Sequence, residues 1–109
     1  MREWKLFLND IAESLKHIIE YTQGMSLAEF LGDQRTFDAV VRNIQIIGEA
    51  VKHIPKEVRQ KHPEIEWTSI MGLRNIVIHE YFGIDKDIIW NICKNKAPEI
   101  IIRIQGMIT

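Results

Sequence analysis

The sequence predicts an all-α protein, an up-and-down bundle of four to five helices. Three observations predict it. Apolar residues recur at steps of three and four along nearly the whole chain, which gathers them on one face of a helix. Glycines, prolines and capping side chains fall between these stripes, where helices start and stop. No segment keeps the two-residue alternation of a half-buried strand.

The first stripe is Trp4, Phe7, Leu8, Ile11, Leu15, Ile18 and Ile19, so residues 3 to 22 form an amphipathic helix that Gly24 ends. Ser26-Leu27-Ala28-Glu29 has the capping-box pattern and opens a short helix through Leu31. Gly32 breaks the chain. Asp33 then caps a long helix from about Gln34 to His53, with Phe37, Val40, Val41, Ile44, Ile47, Val51 and Ile54 inward, and Pro55 stops it. Residues 55 to 65 are a connector with one helical turn, ended by Pro63. A fourth helix runs from Trp67 to His79 or Tyr81, with Ile70, Leu73, Ile76 and Val77 inward, and Gly83 terminates it. Asp85 caps the last helix, whose stripe is Ile88, Trp90, Ile92, Ile100, Ile101 and Ile104; Pro98 lies inside that pattern and should kink it. The run Ile100 to Ile104 is apolar on more sides than one buried face needs, which suits either a subunit interface or a fully covered terminal helix. Short connections favour antiparallel neighbours.

Composition narrows the function classes. A chain of 109 residues makes one domain spanning 1 to 109, with a single core. No apolar run approaches the ~20 residues of a membrane span. The charged start Met1-Arg2-Glu3-Trp4-Lys5 is unlike a signal peptide. The single cysteine, Cys93, excludes an internal disulfide and fits a reducing, cytoplasmic compartment; it reads as a buried, inert thiol. A net charge of −1 means that any affinity for nucleic acid must come from a local patch. Lys52, Lys56, Arg59 and Lys61 are one candidate stretch, diluted by Glu57.

The segment Arg74-Asn75-Ile76-Val77-Ile78-His79-Glu80-Tyr81 concentrates chemistry in an otherwise apolar helix. Burying these polar groups costs free energy unless they find partners or a substrate. Singly, each has an ordinary reading: a solvated or paired Arg74 and His79, a packing Tyr81, a locally hydrogen-bonded Asn75. Together, arginine and histidine are the minimum set for cleaving RNA without a metal. Histidine takes the proton of a 2′-hydroxyl near neutral pH, and arginine holds charge on the phosphorus oxygens. At about 3.6 residues per turn, Asn75 and His79 share one face and Arg74 and Tyr81 another, while Arg74 and His79 diverge by roughly 140°. Facing the helix against its own copy across a two-fold axis would bring both types into one cleft. His17, His53 and His62 are scattered, and His79-Glu80 lacks a second histidine four residues on, so no metal ligand set and no cofactor are expected.

Several segments together resemble the small HEPN proteins of the HepT type, the toxin halves of bacterial and archaeal HEPN–nucleotidyltransferase toxin–antitoxin pairs. They are Phe7-Leu8-Asn9-Asp10-Ile11, Phe37 to Asn43 followed by Ile46-Ile47-Gly48-Glu49-Ala50, and Trp67 through Gly72-Leu73-Arg74-Asn75 to His79-Glu80-Tyr81-Phe82. The last carries the family's signature: Arg, four residues, His, one residue, Tyr. The resemblance implies a homodimeric helical bundle with the signature helices near the two-fold axis. It implies a metal-independent endoribonuclease of a type VII-like toxin–antitoxin pair with Arg74 and His79 catalytic, Asn75 as supporting polar residue and RNA as substrate. It also implies that Tyr81 is AMPylated by a cognate MNT-type nucleotidyltransferase antitoxin. Glu49 fits the pattern and reads as a satisfied helix carboxylate. The alternative is a non-catalytic helical module that docks a nucleotidyltransferase.

Overall fold

The computed structural model describes residues 3–79 and 85–108, those at 76–79 by their backbone alone. Among the described residues every regular element is helical. α1 (Trp4–Thr22) buries Leu8, Ile11, Leu15 and Ile18, the expected stripe. It ends where Gly24 takes φ +75°, a left-handed conformation that suits glycine. α2 (Leu27–Leu31) opens with the capping box: Glu29 N donates to Ser26 Oγ at 3.1 Å and Ser26 N to Glu29 Oε1 at 2.9 Å. α3 (Gln34–Val51) is capped by Asp33, whose carboxylate accepts from Thr36 N at 3.0 Å.

α3 stops two residues short of His53, and Pro55 explains it. Proline has no N–H for the Val51 carbonyl. The chain tightens instead, with His53 N donating to Ala50 O at 3.0 Å and Ile54 N to Val51 O at 3.1 Å. α4 (Lys56–Lys61) follows as the expected turn. It is tied to α5 (Trp67–His79) by the Trp67 indole, which donates to the carbonyls of Arg59 and His62 at 3.1 and 3.0 Å. Within α5, Ile70 is buried and Leu73 partly so. The inward placement of Ile76 and Val77, and the stop at Gly83, lie outside the described residues.

The last expected helix is divided. α6 (Lys86–Asn91) is capped by Asp85, as anticipated, through Asp87 N at 2.9 Å. A π-helical turn (Ile92–Lys96) leads into α7 (Ala97–Ile108). Pro98 cannot donate to the Lys94 carbonyl, and a widened turn just before it, with Ala97 N bonded to Ile92 O, carries the axis through. The stripe ahead of that turn also differs from the expected one: Ile89 is fully buried while Ile88 is half exposed. Lys94 fastens this turn to α1, donating to Thr22 O at 2.6 Å with its Nζ 4.8 Å from the Trp90 ring centroid.

The core runs through α1, which packs against α3 on one side and α7 on the other; α5 lies on the far side of α3. Phe30 of α2 sits between Phe37 and Trp90 and closes one end. Among the described residues the bundle does not close between α5 and α6–α7. A groove of about 310 Å³ remains there, with Ile70 and Leu73 on one wall and Ile88, Ile92 and Ile100 on the other.

The α3–α5 contact is close at Gly48. A Cβ at Gly48 would lie 2.4 Å from Arg74 Cβ and 3.2 Å from its Cα and N. Only glycine lets the two backbones come this close. Alanine at 48 gains ~1 kcal/mol of helix propensity but must push α5 away at an overpacking cost of ~1–3 kcal/mol. Gly48→Ala is therefore expected to lower the urea-unfolding free energy. Gly106→Ala, where a Cβ meets nothing within 4 Å, should raise it by up to ~1 kcal/mol. Equal effects at the two positions would refute the steric account.

Candidate active site at the α3–α5 seam

The close approach at Gly48 sets Arg74 beside the next residue of α3. Arg74 donates through Nε to a carboxylate oxygen of Glu49, and Lys52 Nζ stands 3.8 Å from the other oxygen. The Arg74 and Glu49 side chains are 28% and 44% exposed, so the pair is neither sealed in the core nor free in water. Ion pairs this accessible contribute ~0–1 kcal/mol. Holding the guanidinium in one orientation is the larger effect, because its planar fork recognises oxyanions by direction.

Asn75 is exposed on the next position of α5. α5 (Trp67–His79) contains both signature positions, 74 and 79, in one continuous helix. The His79 side chain and Tyr81 lie outside the described residues. Arg74 and Asn75 are thus the sequence-derived site residues whose side chains have a described place. Glu49 is satisfied, as its sequence suggested, but its partner was not anticipated. A signal existed: glycine inside a long helix costs ~1 kcal/mol against alanine and calls for a packing reason, and Gly48 immediately precedes Glu49.

The basic stretch Lys52 to Lys61 does not form one rail. Lys52 faces Glu49, and Arg59 turns toward α5, its Nη1 3.5 Å from Met71 Sδ and its Nε buried. Among the described residues no group of three or more His, Cys, Asp or Glu could hold a metal ion. His17 meets Asn43 Oδ1 at 3.4 Å, His62 meets Glu64 at 3.1 Å, and His53 stacks on Phe7. Cys93 is buried, and desolvation pushes its thiol up to about 12, which leaves almost no thiolate at neutral pH. No described helix is long and apolar enough to cross a membrane.

A family model described as Ribonuclease HepT-like matches residues 11–107. Among curated proteins, the chain is 43% identical over 107 residues to "Putative RNase MJ0127" of Methanocaldococcus jannaschii, covering 98% of this chain and 88% of that protein. It is 40% identical over 99 residues to "Probable ribonuclease HepT" of Thermococcus cleftensis, covering 91% and 90%. It is also 40% identical over 100 residues to "Putative RNase TTE0752" of Caldanaerobacter subterraneus, covering 92% and 89%. No solved structure matches. The match across nearly the whole chain, on an all-helical bundle, agrees with the resemblance read from the sequence, and the protein belongs to the HepT-like ribonuclease family.

Proposed function

We propose that the protein is a metal-independent endoribonuclease toxin in which Arg74 and His79 act as a pair. The observation that carries this reading is Arg74 itself: a partly exposed arginine, held through Nε by Glu49, on the same helix as His79, in a chain of ribonuclease family. His79 takes the proton of a 2′-hydroxyl. The freed oxygen attacks the adjacent phosphorus, the bond to the 5′-oxygen of the next nucleotide breaks, and a 2′,3′-cyclic phosphate and a 5′-hydroxyl result. Arg74 holds the charge on the non-bridging oxygens. Asn75, exposed beside it, supplies a polar contact to the RNA backbone.

Arg74→Ala and His79→Ala should each reduce cleavage of a labelled RNA by ~10²–10⁴-fold without loss of helicity, and chelator should leave the parent rate unchanged. Cleavage persisting in His79→Ala, or vanishing with chelator, overturns the mechanism.

The active form is proposed to be a homodimer whose copies meet near the signature helices. Two features support this reading. Among the described residues a groove lies between α5 and α6–α7, and Ile88 and Ile102 expose 50% and 70% of their surface, which a second copy would cover. Light scattering at micromolar concentration should return twice 12.8 kDa. A monomer mass sinks the dimer.

Control is proposed to act at Tyr81, which a cognate nucleotidyltransferase antitoxin would AMPylate. The modification adds negative phosphate and a bulky nucleoside two positions from His79, repelling and blocking RNA. After co-expression with that partner, the intact mass should show AMP increments on the parent and none on Tyr81→Phe, which should remain toxic. Increments on Tyr21, or normal neutralisation of the Phe variant, overturn the assignment.

A further inference from the structure

A second groove, of about 250 Å³, lies between α1 and α3 and is lined in part by Glu49, the residue that holds Arg74. Its polar side is formed by Asp10, Arg42 and Gln45, and its apolar side by Ile46 and Ala50. At the far end His53 stacks on Phe7, with ring centroids 4.3 Å apart and planes inclined by 15°. His53 stays exposed, so its ring offers a further flat surface.

We propose that this groove is a nucleobase subsite for the RNA strand whose phosphate Arg74 holds; the proposal rests on the ribonuclease reading above. An aromatic platform beside a polar edge carrying both donors and acceptors is the chemistry that recognises an unstacked base. Gln45 offers both roles, Arg42 donates and Asp10 accepts. The spacing fits as well. Arg42, Gln45, Glu49 and His53 recur at three- and four-residue steps on one face of the chain. Glu49 and His53 line this groove four residues apart, across the end of α3, so that one nucleotide would lay its base on His53 with its phosphate toward Arg74.

The test uses binding that needs no chemistry. Short 2′-O-methyl RNA cannot be cleaved through its 2′-oxygen, and its affinity for the parent, His53→Ala, His53→Phe and Gln45→Ala is measured by fluorescence anisotropy. His53→Ala should bind roughly 10-fold more weakly, the loss of one base stack. His53→Phe keeps a flat ring and should bind like the parent. Gln45→Ala should change the ranking among the four homopolymers. With unmodified RNA, the His53→Ala defect should fall on KM rather than on kcat. Parent-like affinity in His53→Ala, or a Phe variant as weak as the Ala variant, overturns the subsite. Parent protein that cleaves RNA with a KM and base preference indifferent to His53 overturns the subsite and leaves the ribonuclease reading intact. Parent protein that shows the His53-dependent binding but cuts nothing overturns the ribonuclease reading and leaves a binding groove. Absence of any RNA binding overturns both.

Discussion

How closely α5 can lie on α3 is decided at Gly48, and much of the site depends on that distance. With no Cβ at 48, the backbone of Arg74 comes into direct contact with α3. The Glu49 carboxylate then reaches Arg74 Nε without either chain stretching into solvent. A wider seam would leave a long, freely rotating arginine, with several rotamers to lose on binding a phosphate. The glycine gives up helix propensity and gains a fixed guanidinium. Trp67 supports the same seam from the other end, filling both carbonyls at the close of α4 and so fixing where α5 begins.

Most of the fold was readable because its signals are local. The capping box at Ser26, the Asp33 and Asp85 caps, the left-handed turn at Gly24 and the stripes of α1 and α3 each depend on residues within a few positions. The departures occur where proline meets a distant constraint. Pro55 shortens α3 by removing a donor. Pro98 makes the chain insert a π turn, which rotates α7 relative to α6. Periodicity alone cannot anticipate that rotation, because it assumes an unbroken 3.6-residue repeat.

The site was readable as a motif and less so as geometry. Arg74 and Asn75 stand out in the sequence by their polarity within an otherwise apolar helix. The Glu49 partnership was hidden because it joins residues 25 apart in sequence. The groove between α1 and α3 was hidden for the same reason: Phe7 and His53 appear unrelated until the helices pack. In the sequence His53 is one of three scattered histidines with no metal-ligand spacing. Its place against an aromatic ring, four residues beyond the one that holds Arg74, makes it worth testing.

The Arg74–Glu49 pair bears on how such a site would work. A carboxylate beside a phosphate-binding arginine lowers the local positive charge, which by itself weakens attraction for RNA. It contributes little to stability at this exposure. Both facts argue that direction matters more than charge here. Guanidinium is planar and presents five donors in a fixed arrangement, so a contact at Nε fixes the plane in which its terminal amino groups lie. A lysine at 74 would keep the charge and lose this constraint, since an ammonium has no plane to fix. With a chain net charge of −1, the protein has no broad positive field to hold RNA. On the proposed reading, affinity then comes from short-range contacts: oriented donors at Arg74 and a stacked base at His53. Such contacts depend less on ionic strength than a polycationic surface does. They also favour unpaired strands, because a base locked in a duplex cannot reach an aromatic platform without first leaving its stack.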